Sequence, residues 1–244
     1  MISIAFRAAA ALAAACALTG CQKPDDAAFG ERVHAYLMAH PEVVREAALK
    51  LADNERVAAA KTSVENLGKF RAQLERDPRD LVINPQGRVT VVEFFDYRCG
   101  YCKLAAPEVV KLIAANPDVR FVFKQFPIFG EVSDTAAKIA LTPEAKAKGL
   151  QLYGAWMGEK ALDEAGLDRH LIKAGLDPQT VRAAAQTPQI ERQLLDTRAL
   201  AQALKIEGTP AFIIGDTLIP GADLPALRAA VLAAKAGGPT KTVS

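Results

Sequence analysis

The 244-residue chain carries 30 Lys and Arg against 28 Asp and Glu, and half of its residues are hydrophobic. That length allows one ordinary domain plus an accessory segment, and the formal charge of +2 supplies no large basic field to hold nucleic acid. Four cysteines exclude a disulfide-dense scaffold, and none of His34, His40 and His170 stands at metal-ligand spacing to another histidine or to a cysteine pair.

Residues 1–20 hold one positive charge, Arg7, followed by an apolar run from Ala8 to Leu18. No acidic residue precedes Asp25. A short basic start and an apolar region too short to span a bilayer permanently read as a secretory signal. Leu18-Thr19-Gly20-Cys21 resembles the bacterial lipobox, in which cleavage before the cysteine is followed by lipidation of its thiol. Ordinary cleavage near Ala15-Cys16-Ala17 is the competing expectation. The lipobox reading is favoured and makes Cys21 the lipidated residue. Either route removes Cys16, and export implies an oxidising compartment.

Residues 21–28 read as a polar linker and 29–80 as an N-terminal helical segment. Phe29, Val33, Tyr36 and Leu37 share one helical face. His40-Pro41 breaks that helix, and Pro41 suits the first turn of the next. The second helix is expected to run to about Arg76, ahead of Asp77-Pro78. Its thin apolar stripe must be buried, either against the rest of the chain or against copies of itself.

Leu81–Ile83 is a short strand, and Val89–Phe95 reads as a buried central strand. A helix follows from about Cys99 to Ala115, then a strand over Val119–Phe126. This is a βαβ unit with a right-handed crossover. From about 133 to 204 the pattern is helical, and Thr142, Asp177 and Thr187, each before a proline, read as N-caps. Ala211–Gly215 and Thr217–Ile219 form a hairpin. Asp223 caps a last helix, and 237–244 reads as a disordered tail.

The chemistry concentrates in Cys99-Gly100-Tyr101-Cys102. A cysteine at a helix N-terminus sits among unpaired N–H groups and a partial positive charge. Both favour the thiolate, and such settings bring cysteine pKa values to about 3.5–7.5. Cys102 lies one turn on, within disulfide reach, and is expected to be the more buried, resolving thiol. Half of a zinc site is a competing reading, but no second ligand pair exists. A purely structural disulfide would gain little from so short a loop.

The stretch from Val91 through Cys99 and Cys102 to Lys103 resembles the DsbA-like branch of the thioredoxin superfamily. Pro107, eight residues after Cys99, matches the proline within the active-site helix of that family. Thr209-Pro210 matches the loop whose proline is cis and faces the cysteine pair. The resemblance implies an α/β, thioredoxin-like fold over 81–236 with an inserted helical subdomain at about 131–204, preceded by the N-terminal helical segment. It implies catalytic roles for Cys99, Cys102, Thr209, Pro210 and Glu93, with no cofactor and no metal. Glu93, six residues before Cys99, is implied to lie buried near the pair and to move the proton of the resolving thiol. Lys124 is the expected ion-pair partner of Glu93. Asp96 and Arg98 are read as plain surface charges ahead of the alternative that they tune Cys99 electrostatically, Tyr101 as an exposed ring for clients, and Trp156 as a core residue ahead of a client anchor.

The pattern of residues 29–51, with His40-Pro41-Glu42-Val43, resembles the N-terminal segment of the suppressor-of-copper-sensitivity C (ScsC) proteins. That likeness implies a homo-oligomer, including a trimer, through residues 29–76. The implied partners are cysteine-containing client proteins and a membrane redox partner of the DsbB or DsbD/ScsB type. The implied location is the periplasm, with a lipid anchor on Cys21. Oxidase, isomerase and reductase activities compete. The Gly100-Tyr101 pair, Thr209 and the oligomerising segment favour isomerase or reductase. A copper-tolerance protein using the two thiols as soft Cu(I) ligands is the non-enzymatic alternative.

Overall fold

The computed structural model describes residues 26–237. The expected leader, Cys16, Cys21 and all but the first residue of the expected tail lie outside the described residues. Two units meet at Ala58–Ala59.

The first unit is helical. Helix α1 spans Asp26–Ala39, and α2 spans Pro41–Lys69. Helix α1 starts three residues before the expected Phe29, because Ala27 and Ala28 are strong helix formers and an acidic residue suits a helix N-terminus. His40 separates the helices. Its N–H donates to the Tyr36 carbonyl at 2.9 Å, and the rings of Tyr36 and His40 lie 4.5 Å apart. Phe29, Val33, Tyr36, Val44 and Leu51 are all exposed.

The second helix does not run unbroken to Arg76. It ends at Lys69, Phe70 leaves helical geometry at φ −99° and ψ 12°, and a short helix α3 covers Arg71–Glu75. Gly68 weakens the helix just before the break. The turn brings Leu67, Phe70 and Leu74 together against the sheet residues Val92 and Phe94. Arg120 and Lys124 then donate to the carbonyls of Glu75 and Gln73, which closes the open end of α3.

Five strands form one sheet: β1 (Leu81–Ile83), β2 (Val89–Phe95), β3 (Val119–Gln125), β4 (Ala211–Ile214) and β5 (Thr217–Pro220). Their order is β1-β3-β2-β4-β5, parallel only between β2 and β3. Helix α4 (Gly100–Ala115) is the crossover between the parallel pair. Strand alternation splits the apolar residues between two faces. Val91, Phe95, Phe121, Phe123 and Phe212 pack in the larger core with α4. Val92, Phe94, Val122 and Ile213 pack with Leu67, Leu74 and Leu200 on the other face.

Between β3 and β4 lie six helices: α5 (Glu131–Ala140), α6 (Pro143–Lys146), α7 (Gly149–Gly158), α8 (Glu164–Lys173), α9 (Pro178–Ala184) and α10 (Pro188–Ala203). Thr142, Asp177 and Thr187 cap α6, α9 and α10 as expected, each side chain accepting a backbone N–H three residues on. Asp223 does the same for the last helix, α11 (Leu224–Lys235). Such caps are each worth roughly 1 kcal/mol. Among the described residues no helix is long and apolar enough to cross a membrane.

Candidate active site

Strand β2 delivers the site. It ends at Phe95, and the loop Asp96–Arg98 turns the chain into α4. Cys99 is the N-cap of α4, with extended backbone at φ −67° and ψ 122°. Its sulfur accepts the Cys102 N–H at 3.4 Å, and its thiol donates to the Thr209 carbonyl at 3.2 Å. The Thr209–Pro210 peptide is cis. Cys99, Cys102 and Thr209 are therefore brought together from two loops that are 110 residues apart in sequence.

The two thiols differ in depth and charge. Cys99 is 2% exposed and Cys102 0%. The hydrogen bond from the Cys102 thiol holds the Cys99 pKa down at about 6. Burial opposes this, while the Thr209 side chain and the N–H groups of Cys102 and Tyr101 add to it. These are the unpaired donors of a helix N-terminus. Burial pushes the Cys102 thiol far up, and its bond to Cys99 and the charge of Glu93 push it the same way. At neutral pH the pair thus holds one thiolate, on Cys99, which is the nucleophilic form.

Glu93 is buried on β2, on the same face as Val91 and Phe95. Burial raises its carboxyl to about 8 against a hydrogen bond from Tyr153. Lys124 is not its partner. The register pairs Glu93 with Phe123 and places Lys124 beside Phe94, so alternation sends the two side chains to opposite faces of the sheet. Lys124 instead forms a buried ion pair with Asp80. The Glu93 carboxyl is met by the Tyr153 hydroxyl, 3.1 Å from each oxygen.

Asp96 is buried and not a surface charge. Its Oδ1 accepts the Arg98 N–H at 2.7 Å and the Ser133 hydroxyl at 2.8 Å. Its Oδ2 accepts the N–H groups of Ile128 at 2.7 Å and Phe129 at 3.0 Å. One carboxylate thereby fastens the loop before Cys99 to the loop before α5. Arg98 is exposed, and its guanidinium donates to the Phe129 carbonyl at 3.2 Å. Tyr101, 66% exposed, and Leu104 beside it on α4 are exposed apolar side chains, as are Ile128 and Phe129 in the loop that Asp96 holds. Trp156 is fully buried, with its ring 4.9 Å from Tyr97.

Sequence reasoning missed Tyr153, Ser133 and Asp80. Tyr153 stands in a Gly- and Leu-rich helix with no motif around it. For Asp96 a signal was available: an acidic residue directly after an apolar strand and just before the first cysteine.

Residues 90–233 match the family model of the DSBA-like thioredoxin domain. The chain belongs to that family. Its members are thiol–disulfide oxidoreductases of thioredoxin-like fold. Residues 25–58 match the copper resistance protein ScsC N-terminal domain. A thioredoxin-like oxidoreductase from Silicibacter pomeroyi is 40% identical, with TM-score 0.64, covering 68% of this chain and 98% of that one. A linker-deletion variant of Proteus mirabilis ScsC is 26% identical, with TM-score 0.66, covering 90% and 99%. A periplasmic thioredoxin-like protein from Salmonella enterica serovar Typhimurium is 34% identical, with TM-score 0.60, covering 66% and 92%. Among curated sequences, a Na(+)/H(+) antiporter NhaA from Salinispora tropica is 28% identical over 77% of this chain, which spans 29% of the antiporter's length.

Proposed function

We propose that this DSBA-family protein is an exported disulfide isomerase or reductase in which Cys99 attacks the client and Cys102 resolves. The carrying observation is the asymmetry of the two thiols. The thiol at the helix cap is the one held near pKa 6, and its partner within the helix is pushed far up. Exchange then runs through a Cys99–client mixed disulfide. Thr209 and Pro210 line the client side of Cys99, where an extended client segment adds its backbone alongside Thr209. Glu93, buried close enough to act electrostatically on both cysteines, takes the proton of Cys102.

The lean away from oxidase rests on Gly100-Tyr101, on Thr209, and on the exposed apolar face of α1 and α2. A homo-oligomer through residues 29–76 would cover that face and set several cysteine pairs around one client. Export is supported by the apolar leader and by the periplasmic source of one structural relative. Lipidation at Cys21 would tether the protein to a membrane, where a DsbB-type or DsbD/ScsB-type partner resets its redox state.

The test is reactivation of scrambled ribonuclease, paired with the reduction potential. Reactivation at a potential near about −180 mV or below supports the reading. Oxidation of a reduced peptide without reactivation, at a potential near about −120 mV, would make it an oxidase instead. Stoichiometric Cu(I) retention with no exchange activity would overturn the enzymatic reading.

A further inference from the structure

Glu93 is a carboxyl buried without a cation. Its neighbours in the sheet are Phe123 on β3 and Phe212 on β4. Among the described residues no Lys, Arg or His stands within ion-pair distance of it, since the nearby strand lysine faces Asp80. A buried carboxyl needs hydrogen bonds to hold its orientation and to be ionised at all. Here the donor is Tyr153, from α7 of the helical insertion.

The geometry of that contact is specific. The hydroxyl stands 3.1 Å from both Oε1 and Oε2. A phenol has one proton, so it serves either oxygen. When one oxygen of Glu93 takes up a proton, the other still accepts from Tyr153. The ring cannot turn away, because it packs against Phe95 at 5.3 Å and Phe123 at 4.9 Å between centroids. Tyr153 is fully buried and its hydroxyl titrates well above the usual tyrosine range, so it remains a donor.

We propose that Tyr153 is a positioning residue for disulfide exchange, its hydroxyl holding the Glu93 carboxyl in the orientation in which Glu93 takes the proton of Cys102. This rests on the reading of Glu93 as that proton acceptor. In the resolving step the Cys102 S–H proton passes to Glu93. The Cys102 sulfur attacks Cys99 of the mixed disulfide, the Cys99–Cys102 bond forms, and the bond from Cys99 to the client sulfur breaks. The client sulfur leaves as a thiolate with that electron pair. Over the cycle the enzyme dithiol loses two electrons and the client disulfide gains them, and Glu93 returns its proton to solvent.

The titratable groups acting on this centre come from three elements: Tyr153 on α7, Cys99, Cys102 and Lys103 at the start of α4, and Asp96 and Tyr97 in the loop after β2. In the mixed disulfide Cys99 is bonded and carries no charge. Cys102 and both tyrosines are pushed up. Glu93 then titrates below its value of about 8, because the Cys99 charge that raised it is gone.

The experiment uses 5,5′-dithiobis(2-nitrobenzoate) on the reduced protein. The first thionitrobenzoate released reports attack by Cys99. The second reports displacement by Cys102. Tyr153→Phe is expected to leave the first-phase midpoint near pH 6, as set at Cys99. It is expected to move the second-phase midpoint up and to slow that phase roughly tenfold at pH 7, the worth of one hydrogen bond to a charged group. The rate recovers at high pH. Site-specific 3-fluorotyrosine at 153, a stronger donor of nearly the same shape, is expected to move the midpoint down; it carries the test if Tyr153→Phe folds poorly. If Tyr153→Phe matches wild type while Glu93→Gln slows the second phase, the inference falls and the reading of Glu93 stands. Equal slowing of both phases at every pH, or no shift with the fluorinated residue, also overturns it. If Glu93→Gln leaves the second phase unchanged, the reading of Glu93 fails and Tyr153 goes with it.

Discussion

Lys124 and Asp80 form an ion pair in which both side chains are only 2% exposed, joining β3 to the segment just before β1. Gln193 on α10 adds a hydrogen bond to the same carboxylate at 3.2 Å, and the lysine also reaches the Gln73 carbonyl of α3. Four pieces of chain, β3, the segment before β1, α10 and α3, meet there on the sheet face away from α4. Removing one partner leaves the other charge buried and alone. Lys124→Met is therefore expected to cost about 3–5 kcal/mol of folding stability in urea titration. The double variant Lys124→Met, Asp80→Leu is expected to recover much of that, because it leaves no orphan charge. The Cys99 alkylation midpoint should stay where it is in both, since this pair lies across the sheet from the thiols.

A second prediction concerns pH and Glu93. Its carboxyl sits near 8 in the folded protein against an ordinary 4.5. A group raised in this way contributes stability that is complete below the unfolded value. That contribution is lost as pH rises through the folded value. Stability should thus decline between pH 4.5 and 8 on this account. Cys99 works the other way in the reduced protein. Its pKa is lowered from 9.0 to about 6, so its contribution is present above 9 and is lost as pH falls through 6. Oxidised protein lacks the Cys99 contribution, so from pH 6 to about 8 its urea midpoint should fall more steeply than that of reduced protein. Glu93→Gln should flatten the decline of the oxidised form. A decline of the same slope in the variant would mean that another buried group is responsible.

Local features were legible in the sequence and relational ones were not. The caps at Thr142, Asp177, Thr187 and Asp223 follow from a side chain and a backbone N–H three residues away. The reactive cysteine follows from its place at a helix start. The partner of Glu93 required the register of β2 on β3. With Glu93 opposite Phe123, parity alone puts Lys124 on the far face. Asp96 was misread because the groups that bury it, Ile128, Phe129 and Ser133, are about thirty residues away. Tyr153 reaches Glu93 only through the packing of the helical insertion, which no local pattern encodes.

Asp96 supports a third prediction, on the loop that aims Cys99. Each of its two oxygens accepts two donors, one pair at Oδ1 and one at Oδ2. Asp96→Asn is close to isosteric, yet it turns an amide donor toward at least one backbone N–H. It is expected to be nearly as harmful as Asp96→Ala, each costing at least about 2 kcal/mol, because buried donors are left unpaired. Hydrogen exchange should rise first at the N–H groups of Arg98, Ile128 and Phe129. An Asn variant as stable as wild type would show that the loop holds without the second oxygen.

The last prediction addresses the uncovered face of the first unit. Helix α1 is 14 residues long, near the length at which an isolated helix is marginal in water. Phe29, Val33 and Tyr36 lie three and four residues apart and are exposed, as are Val44 and Leu51 on α2. Burying one such side chain is worth roughly 1.5–3 kcal/mol, so a shared interface can supply the stability that α1 lacks alone. On the oligomer reading, Tyr36→Asp puts a charge into that interface. Its expected outcome is a fall in mass by light scattering to that of one chain, together with reduced helix content by circular dichroism. Cys99 should still alkylate with a midpoint near pH 6. Reactivation of scrambled ribonuclease should drop well below that of wild type, while reduction of a small disulfide continues. Loss of both activities together would tie the helices to the chemistry of the site itself. Unchanged mass would instead leave the apolar face to a different partner.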